Sequence, residues 1–230
     1  TIVEFGPFLG GVTEVLADYG DVHVVDRFIW TEANAKAYPG ITTPGASFRG
    51  AFEAQMQAYG LTPQVHETEF KAFSWTGGPI HFCFIDAPRD AAQLLVCLER
   101  IAGHLAPGAP VLVKHGLNLA RPQMMALIEV LAGMGMVNIE RSDHPRWCNI
   151  AVLTPGPNIR ALDMAADQVP ALQDATLSPQ VRDPWGGGLM AMARLAERIG
   201  QLDWPAAYAL LDQMPPDPAH LAEWDEIAPQ

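Results

Sequence analysis

Residues 1–26, TIVEFGPFLGGVTEVLADYGDVHVVD, constrain the fold more tightly than any other stretch of this chain. Ile2, Val3 and Phe5 make a short apolar strand, and Gly6 to Gly11 then turn the chain. Val12, Val15 and Leu16 recur at helical spacing, and Gly20 closes the helix. Val22, Val24 and Val25 form a second apolar strand that ends in Asp26. A strand, a glycine-rich turn, a helix and a second strand ending in an acid make a βαβ unit. With the acid about 20 residues past the turn, this is the physical signature of an adenosine-type cofactor site. The turn lets a ligand approach the backbone, and the acid accepts hydrogen bonds from a ribose.

Composition narrows the partners. The chain has 230 residues, enough to bury a full core in one or two domains. Its net charge is −12, and its only lysines are Lys36, Lys71 and Lys114. A chain this acidic is poorly suited to gripping a phosphate backbone, so a small molecule or another protein is expected rather than DNA or RNA. No apolar run approaches the roughly 18 residues that a membrane span needs. The N-terminus shows no secretory leader and opens at Thr1 directly on a core strand, so residues upstream are expected. Cys83, Cys97 and Cys148 form no C-x-x-C pair and read as thiols buried in a cytoplasmic protein.

Past Asp26, the Pro and Gly punctuation of RFIWTEANAKAYPGITTPGAS predicts a loop with one helical turn at Glu32 to Tyr38. Ser47 is the expected N-cap of an amphipathic helix with Phe48, Phe52, Met56 and Tyr59 on one face. Gln64 to Phe70 predicts a third strand, Ile80 to Ile85 a fourth, and Pro110 to about His115 a fifth. Helices are expected at Ala91 to Leu105 and Pro122 to Gly133. Met136 to Glu140 and Trp147 to Leu153 read as two strands joined by SDHPR, an antiparallel hairpin at one edge. The predicted class is α/β: a doubly wound, mostly parallel seven-stranded sheet with an antiparallel terminal hairpin strand. From Thr154 the character changes, so 1–155 is read as the cofactor-binding domain and 156–230 as a helical C-terminal extension. Ligands of such sheets bind outside the carboxyl ends of the strands. That puts the Gly6 turn, Asp26, Glu69, Asp86 and His115 along one rim.

A dinucleotide site wants a second glycine where this chain has Phe8, which would crowd a pyrophosphate. That residue and the terminal hairpin argue against a nicotinamide oxidoreductase. From Thr1 to about Pro155 the chain resembles the class I S-adenosylmethionine-dependent methyltransferases, which share the seven-strand order. VEFGPFLGG is similar to the first motif of small-molecule O-methyltransferases of the macrocin-type and cephalosporin-hydroxylase-like group. The stretch from Asp26 through Trp30, Tyr38-Pro39-Gly40, Gly45, Ser47-Phe48-Arg49 and Phe52 resembles that group too.

The resemblance implies S-adenosylmethionine as cofactor. It implies that Glu4 is the acid before the glycines and that the Gly6, Gly10 and Gly11 backbone meets the methionine end. Asp26 then takes the ribose hydroxyls. Glu69 stands where an acid meets the adenine amino group, though a solvated carboxylate fits HETEF nearly as well. Asp86 opens the loop that meets cofactor and acceptor. Metal-dependent relatives carry an acidic pair at the end of the fifth strand, where this chain reads Lys114-His115-Gly116. An ammonium there repels a divalent cation, so no metal is expected.

Methyl transfer needs in-line alignment and, for a hydroxyl acceptor, a base. His115 and His144 are the candidates, with His115 favoured; alternatively Lys114 pairs with Asp86 and leaves a salt bridge and no base. His23, His66 and His81 are given no role. Trp30, Trp75 and Trp185 are candidates to wall an acceptor pocket, and Pro184 to Gly188 is a candidate lid. Leu189, Met192, Leu195 and Ile199 make a core or homodimer seam. The expected function is methyl transfer to a small-molecule acceptor, at a hydroxyl oxygen. The alternative is a methyltransferase-fold binding module with weakened catalysis.

Overall fold

Period-two alternation sorts the strand side chains onto two apolar faces, and helices cover both. The computed structural model describes residues 1–118, 121–140 and 149–162. The chain runs β1 (Ile2–Phe5), α1 (Gly11–Ala17), β2 (Val22–Asp26), α2 (Glu32–Ala37), α3 (Arg49–Ala58) and β3 (Gln64–Glu67). A 3-10 turn (Phe70–Ala72), β4 (Phe82–Ile85), α4 (Ala91–Ala102) and β5 (Val111–Val113) follow. Then come α5 (Pro122–Gly133), β6 (Val137–Glu140) and β7 (Ala151–Pro155). The sheet order is β3-β2-β1-β4-β5-β7-β6, a doubly wound seven-stranded sheet as expected from the sequence. β1, β2, β3, β4 and β5 pair in parallel, whereas β7 runs antiparallel to both β5 and β6. The reversed strand therefore lies one place in from the edge, which β6 occupies.

On one face Ile2, Val22, Val24 and Phe84 pack with Leu16 of α1 and with Phe52 and Met56 of α3. On the other, Val3, Phe5, Cys83, Ile85 and Val113 pack with Leu94, Leu98 and Ile101 of α4 and with α5. Burial pushes the Cys83 and Cys97 thiols up, as inert core cysteines require. Ile159 and Leu162, beyond the expected domain boundary, are buried in this second cluster. The remainder of the expected extension, with Trp185, the Pro184–Gly188 lid and the C-terminal helices, lies outside the described residues, as do His144 and Cys148.

Several local expectations change. Along α3 and its caps Phe48, Phe52 and Met56 are buried, but Tyr59 is 45% exposed. The Ser47 hydroxyl accepts from the Arg49 N–H at 3.2 Å, while Phe48 holds the N-cap position. Strand β3 stops at Glu67, because Glu69 opens the 3-10 turn. His23 and His66, on neighbouring strands, meet each other with ring nitrogens 3.1 Å apart. Trp75 packs edge-on against His23, and burial lowers both imidazole pKa values.

Candidate active site

The carboxyl ends of the strands carry the strained backbone. Among the described residues, three non-glycine residues take left-handed φ: Phe8 at 51° after β1, Phe28 at 55° after β2, and His115 at 66° after β5. Side chains rarely adopt this conformation, and it clusters at sites that the surrounding packing holds in place. The Phe8 ring is held by stacking on Trp30 (5.5 Å between centroids) and by contact with Tyr38 (5.1 Å). Phe28 turns back so that its N–H donates to Asp26 Oδ1 at 2.6 Å.

Beside these turns lies a cavity of about 760 Å³, within the range of small-molecule sites. Gly6 contributes bare backbone to it, and Phe8, Tyr38 and Phe48 form an aromatic wall. Gly6 sits at φ +80°, and a Cβ there would lie 2.5 Å from Ala87 Cβ. No side chain fits between the two turns. Asp26 and Glu69 line the cavity from the ends of β2 and β3. Burial raises the Asp26 carboxyl above its ordinary range, against the lowering effect of the Phe28 N–H. Arg27 pairs with Glu69 at 3.5 Å. An acid held at the end of β2, bare glycine backbone and an aromatic wall fit an adenosine-type ligand.

At the ends of β4 and β5, Lys114 Nζ donates to Asp86 Oδ2 at 2.8 Å. This is the salt bridge weighed above as the alternative to a base. Asp86 Oδ1 is buried and accepts no hydrogen bond; His115 Nε2 lies 3.9 Å from it. Burial lowers the His115 pKa first, and the charge of Arg89 lowers it further, while Asp86 acts in the opposite direction. The imidazole is therefore neutral at neutral pH and able to accept a proton. His115 is not among the residues lining the cavity, whereas Asp86 and Lys114 are.

The remaining expected residues stand apart from the cavity. Glu4 is 1% exposed, and its Oε2 accepts from the Thr13 hydroxyl at 2.6 Å. Burial pushes its carboxyl up to about 7, against the Thr13 hydrogen bond and with a smaller contribution from the charge of Asp86. Gly10 is bare because α3 packs on it: a Cβ there would lie 2.1 Å from the Met56 methyl. Gly11 begins α1 with open space around it. Trp30 and Trp75 are core residues rather than pocket walls, 0% and 5% exposed, and Trp75 Nε1 donates to the Gly78 carbonyl at 2.8 Å. The structure adds Arg89, which sequence reasoning missed. Its Nη1 donates to the carbonyls of Asp86, Ala87 and Pro88 while the residue lines the cavity. The signal available was an arginine three residues after the rim aspartate in DAPRD.

Among the described residues, no group of three His, Cys, Asp or Glu side chains is placed to hold a metal ion. None of the helices among them is long and apolar enough to cross a membrane.

No protein-family model and no curated protein sequence matches the chain. Solved structures align with part of it. The S-adenosylmethionine-dependent methyltransferase SibL, in its apo form, is 16% identical over 67% of this chain and 49% of its own, with a TM-score of 0.45. An rRNA methylase from Streptococcus thermophilus is 13% identical over 67% of this chain and 86% of its own, with a TM-score of 0.45. The N-methyltransferase NodS from Bradyrhizobium japonicum WM9 is 16% identical over 68% of this chain and 85% of its own, with a TM-score of 0.43. The chain thus spans about half the length of SibL. At these identities the functional reading rests on the cavity's own residues.

Proposed function

We propose that this chain binds S-adenosylmethionine in the rim cavity and directs its methyl group to a hydroxyl oxygen of a small-molecule acceptor, without a metal ion. The observation that carries the reading is the convergence of the Gly6 turn, Asp26 and Asp86 on one cavity, at the carboxyl rim of a sheet with this strand order. The bound cofactor supplies a methyl group already activated on a sulfonium. Asp26 would hold the ribose hydroxyls, Glu69 the adenine amino group, and the Gly6 backbone the methionine end. Phe8 and Tyr38 wall the cavity.

The proton of the acceptor hydroxyl goes to the Asp86–His115 pair. Asp86 meets the cavity, and its unpartnered Oδ1 is 3.9 Å from the neutral imidazole. Metal independence is supported by Lys114, whose ammonium takes the other Asp86 oxygen. A divalent cation at Asp86 would have to displace it. Added chelator should therefore leave turnover unchanged, and a chelator-sensitive rate restored by Mg²⁺ would overturn this part of the reading.

Titration calorimetry with S-adenosylhomocysteine and NAD tests the cofactor assignment. The first should bind and the second should not. Asp26→Ala should weaken S-adenosylhomocysteine about 10- to 100-fold, the value of a hydrogen-bonded charged acceptor; unchanged affinity removes Asp26 from the site. His115→Ala should spare that affinity and lower turnover by about 100-fold or more. The Lys114–Asp86 bridge also favours a second reading, a binding module with weakened catalysis. Cofactor binding without any methyl transfer across a broad acceptor panel would select it.

A further inference from the structure

We propose that the acceptor is an anion, whose carboxylate or phosphate group docks between Arg89 and Lys114. This inference rests on the cavity being the methyl-transfer site and deepens that reading by naming the chemical class of the acceptor.

The argument begins with charge. The chain carries 26 acidic and 14 basic side chains. Its cavity reverses that balance: Arg27, Lys71, Arg89 and Lys114 line it against Asp26, Glu69 and Asp86. Four permanent cations face three carboxylates. At the β2–β3 side, Arg27 pairs with Glu69 at 3.5 Å. The excess lies at the β4–β5 side, where Asp86 is the one lining carboxylate beside two lining cations.

Asp86 does not satisfy both. Its Oδ2 holds Lys114 at 2.8 Å, while Arg89 Nη1 stays 4.0 Å from Oδ1 and donates to backbone carbonyls instead. Asp90, next in sequence, is turned away to cap α4, accepting from the Gln93 N–H at 2.8 Å and Gln93 Nε2 at 2.7 Å. Arg121 adds a third cation, its Nη1 donating to the Arg89 carbonyl at 2.6 Å. Burial lowers the Arg89 pKa first, the charge of Asp86 raises it, and that of Arg121 lowers it again, while after burial the charge of Arg89 lowers the His115 pKa.

A site of concentrated positive charge in an acidic chain selects a negative ligand by complementarity and draws it in through a focused field. Arginine is suited to carboxylate or phosphate, which it can hold through two parallel N–H donors. A bound sulfonium would add another positive charge and strengthen the demand. A neutral acceptor would leave two cations sharing the single carboxylate of Asp86.

The test uses benzoate, inorganic phosphate and the neutral benzamide as probes, titrated calorimetrically into the full chain at fixed ionic strength, with and without saturating S-adenosylhomocysteine. Expected is at least about 10-fold tighter binding of benzoate or phosphate than of benzamide, retained in the presence of S-adenosylhomocysteine and lowered about 10-fold by Lys114→Met. Lys114→Met is preferred to Arg89→Met, because Arg89 also holds the 86–88 turn. The wild-type preference for anion over amide needs no variant. Equal binding of benzoate, phosphate and benzamide overturns the proposal. So does displacement of the anion by S-adenosylhomocysteine but not by 5′-methylthioadenosine, which would assign the cations to the cofactor's own carboxylate. If S-adenosylhomocysteine fails to bind while anion preference persists, the cofactor reading falls and the anion site stands.

Discussion

Glu4→Gln is expected to abolish a pH dependence of stability worth about 3 kcal/mol. In the folded chain the Glu4 carboxyl is pushed from 4.5 up to about 7, chiefly by burial. The folded state therefore holds a proton that the unfolded chain releases. Glu4 favours folding fully below its unfolded value of 4.5, and that contribution is lost as pH rises through about 7. At about pH 8 a carboxylate is buried with the Thr13 hydroxyl as its hydrogen-bond donor. Glutamine keeps a carbonyl for Thr13 and carries no charge. Urea melts from about pH 5 to about pH 8 should show the wild type weakening across that range and the variant changing far less. Identical slopes for the two proteins would sink the assignment.

Gly6→Ala is expected to do heavy damage for one methyl group. It places a side chain at φ +80°, 2.5 Å from Ala87 Cβ and 2.9 Å from the Ala87 nitrogen. The left-handed conformation costs about 1–2 kcal/mol, and the overlap with backbone about 1–3 kcal/mol more. At about 2–4 °C per kcal/mol the melting temperature should fall by roughly 5–15 °C. Cofactor affinity should fall with it, because the displaced turn carries Asp86 and Ala87, which line the cavity. Gly11→Ala is the control. Nothing lies within 4 Å of the added Cβ and the residue starts α1, so stability should move by no more than about 1 kcal/mol. Equal melting temperatures for Gly6→Ala and wild type would mean that the β1 and β4 turns are not in the contact described.

The sheet is readable from sequence because each strand carries its own signal. IVEF, VHVVD and HFCFI are short apolar runs bounded by glycine, proline or acid, and the rim acids follow from where those runs stop. Trp30 and Trp75 show the limit of that reasoning. A tryptophan on a loop has no period to give away its surroundings, so an exposed wall and a buried anchor look alike in sequence. The loop from Arg27 to Phe48 folds inward, buries Trp30, and leaves Phe8 and Tyr38 as the wall. Glu4 fails differently. An acid inside an apolar strand is visible, but whether it faces a ligand or a threonine on the next helix depends on how α1 sits. Arg89 was hidden because its role comes from the Asp86–Pro88 turn curling back onto the guanidinium. The His23–His66 contact requires knowing that β2 and β3 are neighbours.

The inset position of β7 has a consequence for how the chain is made. Among the described residues, strand β6 pairs with β7 alone, and β5 finds its second neighbour only in β7. A ribosome releasing the chain from its N-terminus delivers β6 before β7, its partner in the folded sheet. Until residues 151–155 emerge, β5 is an open parallel edge able to recruit a strand from another nascent chain. Strand β7 thus works as a clasp, covering the β5 edge and seating β6 in a single step. The half of the sheet that carries Lys114 and His115 cannot be completed before it arrives.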